Sequence, residues 1–422
     1  MKFLKNKLVS NIFSLFLLQG SNYILPLITL PYLIKVLGFE KYGLISFSTS
    51  FLQYFVILTD YGFQLSATKQ ISLNQENIDR KNLIFSSVMI LKILIMIFSF
   101  IILFFMINSF NYFNENKIVY YISFLIVVGN VFFPVWFFQG IEKMKYITYF
   151  SVFSKILTTI AIFVFVKVEN DYLLALFLQS IVTLLAGIFS FYFLFKKYSV
   201  RLMIPSLNDL IKELKMGWHI FLSTAAISLY TTSNIFILGL FTNNTTVGTF
   251  SAADKIIKAV QGLITPISQT IFPHINNLAS ESKTTALLFI KKILNKVGIC
   301  FVIISILIYF GAECIVLLVF KGDLQVTNLI KIMAPVPTFV FYNTMFGTQV
   351  MLTFGLNKTF SNILIISGIL NIIITFPLVY FFGSAGTALC VTFTEFFVTL
   401  IMFLVLRQKG YTLFSRERKY EL

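Results

Sequence analysis

The sequence predicts an all-α membrane protein of about twelve spans, and three observations predict it. Of 422 residues, 58% are hydrophobic and only 12% charged, whereas a soluble domain carries about 25% charged residues. The apolar residues fall in blocks of about 20, the length that crosses a hydrocarbon core of about 30 Å. These blocks recur from one end of the chain to the other, so the protein is embedded in the bilayer rather than tethered to it.

The blocks place spans at roughly 10–37, 42–66, 82–108, 117–138, 146–167, 172–195, 215–241, 246–273, 293–319, 326–353, 359–381 and 385–406. The first block follows a basic head, MKFLKNKLVSNIFSLFLLQG, but runs on to about Leu37 without a small-residue cleavage site, so it is expected to remain as an anchor. Connections are short. The longest, from Lys196 to Lys215, holds Lys197, Arg201, Pro205, Asp209 and Lys212 and is the natural seam between two six-helix halves, 1–200 and 201–422.

Lys plus Arg is 33 and Asp plus Glu is 17, a net charge of +16. In a soluble protein that surplus suggests nucleic acid; here most of it lies between spans and reads as topology. About 23 Lys/Arg flank the side that holds the N-terminus, and about five the other, namely Lys35, Lys41, Lys117, Lys167 and Lys321. The positive-inside rule then puts both termini in the cytoplasm. Weak internal similarity supports the halves: KYGLISFS from Lys41 matches TVGTFSAA from Thr246, and FQGIEK from Phe138 matches TFGLNK from Thr353. Two halves in one orientation suggest a parallel repeat about an axis along the membrane normal; the alternative is that glycine-led helix starts resemble one another.

Polar side chains in a span need a protein or water neighbour. In span eight, Asp254, Lys258, Gln261, Thr265 and Ser268 follow steps of four, three, four and three, which puts them on one helical face bordered by Lys255. Such a stripe lines either a water-filled cavity or a hydrogen-bonded helix seam. Span two has Ser46, Thr49, Gln53 and Asp60. Span one has Gln19 and Asn22, then Pro26 and Pro31, which permit a bend suited to a gate or a fixed kink. Lys92 and Lys155 lie about ten residues inside their spans, about 15 Å deep at 1.5 Å per residue. A lysine there costs about 2.5–3.5 kcal/mol on insertion scales, which marks a cavity, an ion pair or a snorkelling stem. Glu395 and Glu313 are the counter-charges the sequence offers. Lys92, Lys155, Lys255, Lys258 and Lys331 against Asp60, Asp254 and Glu395 leave a cationic surplus inside the spans, which suits an anionic ligand such as a pyrophosphate.

Other chemistries find no support. There is no GxxxxGK[ST] loop. His219 and His274 are too few and too far apart for a zinc site or a triad, and Cys300, Cys314 and Cys390 form no CxxC pair, so neither metal nor cofactor is expected.

Six segments then carry a resemblance: QGSNYILPLITLPYL from Gln19, TDYGFQLSATKQIS from Thr59, FFQGIEKMK from Phe137, GWHIFLSTAAISLY from Gly217, AVQGLITPISQTIFP from Ala259 and GTQVMLT from Gly347. In this order they resemble the Wzx family of O-antigen flippases, the polysaccharide-transporter branch of the multidrug/oligosaccharidyl-lipid/polysaccharide exporter superfamily, over nearly the whole chain. The resemblance implies a MATE-like pair of six-helix bundles around a central, largely cationic cavity. It implies flipping of undecaprenyl-diphosphate-linked repeat units from the cytoplasmic to the periplasmic leaflet of the inner membrane, by ion-coupled alternating access and without catalysis. Lys255 and Lys258 carry over as diphosphate-attracting cations. Lys92 and Lys155 join them from their depth, with Gln19, Asn22, Gln53, Gln261 and Thr265 as the polar lining. Asp60, Asp254 and Glu395 are the candidate proton or sodium sites. A polysaccharide polymerase and a chain-length regulator are the protein partners that fit. Two other readings are a multidrug antiporter, which should carry an acidic cavity, and a membrane-embedded polymerase, which generally needs a sizeable extramembrane catalytic loop.

Overall fold

The computed structural model describes residues 2–198 and 200–411, with side chains from residue 19 onward except for several between 223 and 231. The described residues are almost entirely helical, as the bilayer demands: hydrocarbon offers no partner for an open N–H or C=O, and a helix satisfies both within itself. Among the described residues, eight stretches are long and apolar enough to cross a membrane. Two of them are each two helices joined at a glycine. Lys2–Asp60 breaks at Gly38, whose φ of 73° only glycine adopts freely. Asn357–Gln408 breaks at Gly383 and folds back, so that Asn371 donates to Thr394 Oγ1 at 2.9 Å. These are spans one and two, and eleven and twelve. Between them lie Ile78–Ser109 (three), Lys117–Gly140 (four), Met144–Phe165 (five), Tyr172–Tyr198 (six), Lys283–Phe320 (nine) and Leu324–Leu352 (ten). Spans seven and eight, Leu207–Phe241 and the pair Asn244–Gln261 and Ile264–Glu281, are helical too. The all-α membrane fold and its span order stand as the apolar blocks predict.

Some helix starts carry side-chain caps. Asn77 accepts from Arg80 N at 2.9 Å, and Asp323 accepts from Val326 N at 2.9 Å. Span seven begins with a reciprocal capping box: Asp209 N donates to Ser206 Oγ at 3.2 Å, and Ser206 N donates back to Asp209 Oδ2 at 3.2 Å. These bonds hold the Asp209 carboxyl below its usual range, the Ser206 hydroxyl being the largest cause.

The chain divides into two compact units, Met1–Ser251 and Ala252–Leu422. The division falls later than the seam at 200/201, because span seven packs on spans one to three and on the short helix Phe63–Leu73. The first unit is cored by aromatic residues. Phe85 meets Trp136, Phe137 and Phe191 with ring centroids 5.3–5.8 Å apart. At the opposite end Phe47 and Phe51 stack on Phe236 at 5.5 and 5.4 Å. The second unit packs Phe301 on Phe341 at 4.9 Å, with Met345, Val350 and Met402 buried around them.

Within the first unit, the start of span two crosses the start of span eight through two glycines. A Cβ on Gly43 would lie 1.8 Å from the Asn244 carbonyl oxygen; one on Gly248 would lie 2.0 Å from that of Phe39. The contact is reciprocal, each glycine meeting the carbonyl four residues before the other. Gly43 and Gly248 are also the matched glycines of KYGLISFS and TVGTFSAA. Only a missing side chain lets the backbones approach so closely.

Gly248→Ala is therefore expected to cut the folded protein recovered from membranes several-fold, read by fluorescence-detected size exclusion. Gly311→Ala, where a Cβ meets nothing within 4 Å, should leave recovery unchanged. For Asp209 the sign follows from its lowered pKa: its contribution is present at neutral pH and lost as pH falls through the folded value. Asp209→Asn should lower the melting temperature at pH 7, with the difference closing as pH drops below the ordinary 3.8.

Candidate functional site

The first unit holds a polar pocket of about 240 Å³ among spans two, three, four and seven. Its lining includes Gln53, Thr59, Asp60, Gln64, Lys92, Asn130 and Ser228. Span three delivers Lys92 from the middle of a helix, and only 5% of its side chain is exposed. Asp60 comes from the last turn of span two, where Tyr61 and Gly62 take positive φ and end the helix. Lys92 Nζ lies 3.4 Å from Asp60 Oδ1, and Asp60 is 37% exposed. A buried ammonium is thus compensated by a carboxylate that still reaches the pocket, so the pocket's fixed charges cancel. The counter-charge is Asp60, and neither Glu395 nor Glu313 takes that place. Gln53, two turns before Asp60, shares its face. The sequence reading missed Gln64, Asn130 and Ser228. Asn130 was visible as an amide in the middle of an apolar span; the others become neighbours only once the helices pack.

Lys155 is not part of that pocket. It donates from span five to Asn22 Oδ1 of span one, and Asn22 Nδ2 donates to Gln19 Oε1 at 3.5 Å. Lys155, Asn22 and Gln19 therefore form one chain across two spans, ending on a neutral amide. No carboxylate among the described residues pairs with Lys155, so a neutral amide, and not a counter-charge, meets its ammonium. Span one continues as helix through Pro26 and Pro31. Thr29 Oγ1 donates to Leu25 O at 3.3 Å and to Pro26 O at 3.2 Å, binding carbonyls near the first proline. The break at Gly38 is the turn between spans one and two.

In the second unit the expected stripe is divided. The helix stops at Gln261 and a new one starts at Ile264. Above the break Lys258 Nζ meets Asp254 Oδ2 at 2.7 Å, one turn away; Lys255 beside them is half-buried. Below it Thr265 is half-buried, and Ser268 accepts from Gln349 Nε2 at 2.8 Å. Gln349 is fully buried in a π-helical turn, Met345–Leu352, of span ten, a distortion common at functional positions. Glu395 of span twelve accepts from Asn343 Nδ2 at 2.6 Å, and Thr399 donates to Asn343 Oδ1 at 2.7 Å. Glu313 pairs with Lys331 at 2.6 Å. Asn343 and Gln349 were not assigned a role from the sequence, since an amide in a span gives no sign of which residue it will meet.

Residues 8–279 match the family described as "Polysaccharide biosynthesis protein". A curated relative from Escherichia coli (strain K12), named "Putative O-antigen transporter", is 34% identical over 96% of this chain and 97% of its own length. The chain belongs to the polysaccharide biosynthesis protein family. The resemblance to Wzx proteins drawn from the six segments agrees with this membership. Among solved structures, an inward-facing multidrug resistance MATE transporter matches at a TM-score of 0.74 and 14% identity, over 94% of this chain and 96% of its own. The lipid II flippase MurJ in an inward closed conformation matches at 0.74 and 14%, over 96% and 89%. At that identity they speak for the fold, and this family member has the MATE-like all-α membrane architecture.

The pocket's charge pair makes a directional prediction. Asp60→Asn strips the counter-charge from a buried ammonium and should lower unfolding free energy by up to about 3 kcal/mol. Lys92→Met leaves behind a carboxylate that is already 37% exposed and should cost less. The double variant should recover most of the Asp60→Asn loss, as measured by thermal unfolding in detergent. Equal losses from the two single variants would contradict this assignment.

Proposed function

We propose that this chain flips undecaprenyl-diphosphate-linked O-antigen repeat units from the cytoplasmic to the periplasmic leaflet of the inner membrane. Both termini lie in the cytoplasm, the bilayer is its medium, and a polysaccharide polymerase and chain-length regulator act beside it. Two six-helix halves alternate access, with Pro26 and Pro31 shaping the first span. The reading is supported by the name and coverage of the curated relative. One structural observation carries it furthest: Lys155, inside a span, donates to an amide and has no carboxylate partner among the described residues. A diphosphate can displace Asn22 from this ammonium without competing with a fixed acid. Lys258 is already neutralised by Asp254, so together with Lys255 it serves as a secondary attraction. Gln261, Thr265, Gln19 and Gln53 offer hydrogen bonds to the sugars.

Coupling follows from the acids. A proton on Asp60 removes the charge that holds Lys92 and frees the ammonium for a phosphate; loss of the proton restores the pair and expels the anion. Glu395, gripped by Asn343, is a second place where a proton or sodium ion can be held, and Asp254 a third through its hold on Lys258.

Reconstituted vesicles carrying a fluorescent lipid-linked oligosaccharide test this. Lys155→Ala should slow flipping about tenfold, the order of one charge-assisted hydrogen bond, while Lys155→Arg should keep most of the rate. Glu395→Gln should leave downhill flipping in place and weaken the response to an imposed proton or sodium gradient. Wild-type vesicles that move no lipid-linked oligosaccharide would end the proposal.

A further inference from the structure

Spans five and six enclose an apolar groove of about 410 Å³ within the first unit. Phe150, Phe153 and Leu157 form one wall, Phe189 and Phe193 the other, with the small Ala186 between them. Its volume lies within the roughly 300–1,000 Å³ usual for small-molecule sites. Phe153 and Phe189 are 69% and 59% exposed, so the groove opens sideways from the helices. One end is cationic. Lys197 Nζ donates to Tyr146 Oη at 2.7 Å and lies 5.2 Å from the centre of the Phe193 ring. Lys145 Nζ lies 5.2 Å over the Tyr146 ring. Neither lysine pairs with a carboxylate among the described residues. Phe193 thus belongs both to the apolar wall and to the cationic mouth, so trench and charge are continuous.

The other lateral groove, about 310 Å³ lined by Ser305, Tyr309, Pro335 and Phe339, lacks this pattern. The cation one turn beyond it, Lys331, is already held by Glu313 at 2.6 Å.

We propose that the groove between spans five and six binds the isoprenoid chain of a polyprenyl diphosphate, with Lys145 and Lys197 on its phosphates. The inference rests on the flippase reading and adds where the lipid tail is held. An anionic head on an apolar chain is the chemistry that matches a cationic mouth on an apolar trench. The aromatic walls favour a methyl-branched, unsaturated chain over a straight acyl chain, because each methyl and alkene can lie on a ring face. Lys155 stands ten residues beyond Lys145 on the same helix, about 15 Å further in, so one span carries both the docking mouth and the deeper cation.

The test uses the full-length protein in lipid nanodiscs, with binding read by native mass spectrometry, and in vesicles for flipping. The probes are a long-chain polyprenyl diphosphate, a short-chain prenyl diphosphate carrying the same sugar, and phosphatidylglycerol. Ala186→Phe fills the groove; Leu157→Trp does so from an exposed wall and guards against misfolding of the first variant. Each should weaken long-chain binding about tenfold and leave phosphatidylglycerol binding and short-chain flipping unchanged. Lys145→Ala with Lys197→Ala should weaken long-chain binding and reduce its salt dependence. Unchanged long-chain binding in both filled variants would overturn the proposal, as would equal loss of phosphatidylglycerol, which would make this a general anionic-lipid surface. If the wild type flips neither long- nor short-chain substrate, the flippase reading fails, and the groove is then decided by the binding arm alone.

Discussion

A charged side chain carried into hydrocarbon must be compensated, and this constraint organises the polar interior of both units. Lys92 lies mid-helix and almost wholly buried. It persists there because a helix end brings Asp60 within reach. Lys258 has Asp254, Lys331 has Glu313, and Glu395 has Asn343. Each compensation also sets what the group can do. An ammonium locked to a carboxylate is available to an anion only when the carboxylate is protonated, whereas one facing an amide is available at all times. Lys155 is of the second kind, which is why it, rather than the more conspicuous lysines of span eight, bears the anion-binding role in the proposed function.

Helix interruptions supply the geometry these charges need. Span two ends at Asp60 because Tyr61 and Gly62 turn the chain with positive φ, and the freed end lets the carboxylate face a pocket. Span eight stops at Gln261, and span ten relaxes into a π-helical turn that swings Gln349 onto Ser268. Irregular backbone at membrane depth is tolerated where protein or water satisfies it, and the π-helical turn of span ten has such a polar neighbour in Ser268. The glycine crossing at Gly43 and Gly248 works differently: it brings two backbones close because neither carries a side chain.

Much of the fold was legible in the sequence. Span number and order follow from the length of apolar blocks, a one-dimensional property that the bilayer enforces directly. Gly43 and Gly248 were legible as a matched pair through the repeat, although their mutual contact was not. The depth of Lys92 and Lys155 could be counted in residues. Their partners could not, because Asp60 and Asn22 approach from other helices and no periodicity encodes which helix packs where. The turn at Gly38 falls where the apolar blocks separate spans one and two, and Pro26 and Pro31 lie inside the helix before it. Thr29 binds carbonyls beside Pro26 and the helix continues, whereas a glycine at φ 73° ends it. In span eight the spacing promised one stripe, but regular spacing does not reveal where a helix stops, and the stop at Gln261 turns Ser268 into a packing residue.

Coupling through Asp60 depends on the polar pocket beside Lys92 being wet rather than sealed in lipid or protein. The direct measurement replaces Cys300, Cys314 and Cys390, introduces Gln53→Cys in the pocket lining, and follows labelling in intact membranes by a charged, membrane-impermeant thiol reagent and by a lipid-soluble one. A water-filled pocket predicts rapid labelling by the charged reagent, slowed when lipid-linked oligosaccharide is present. Labelling by the lipid-soluble reagent alone would contradict it.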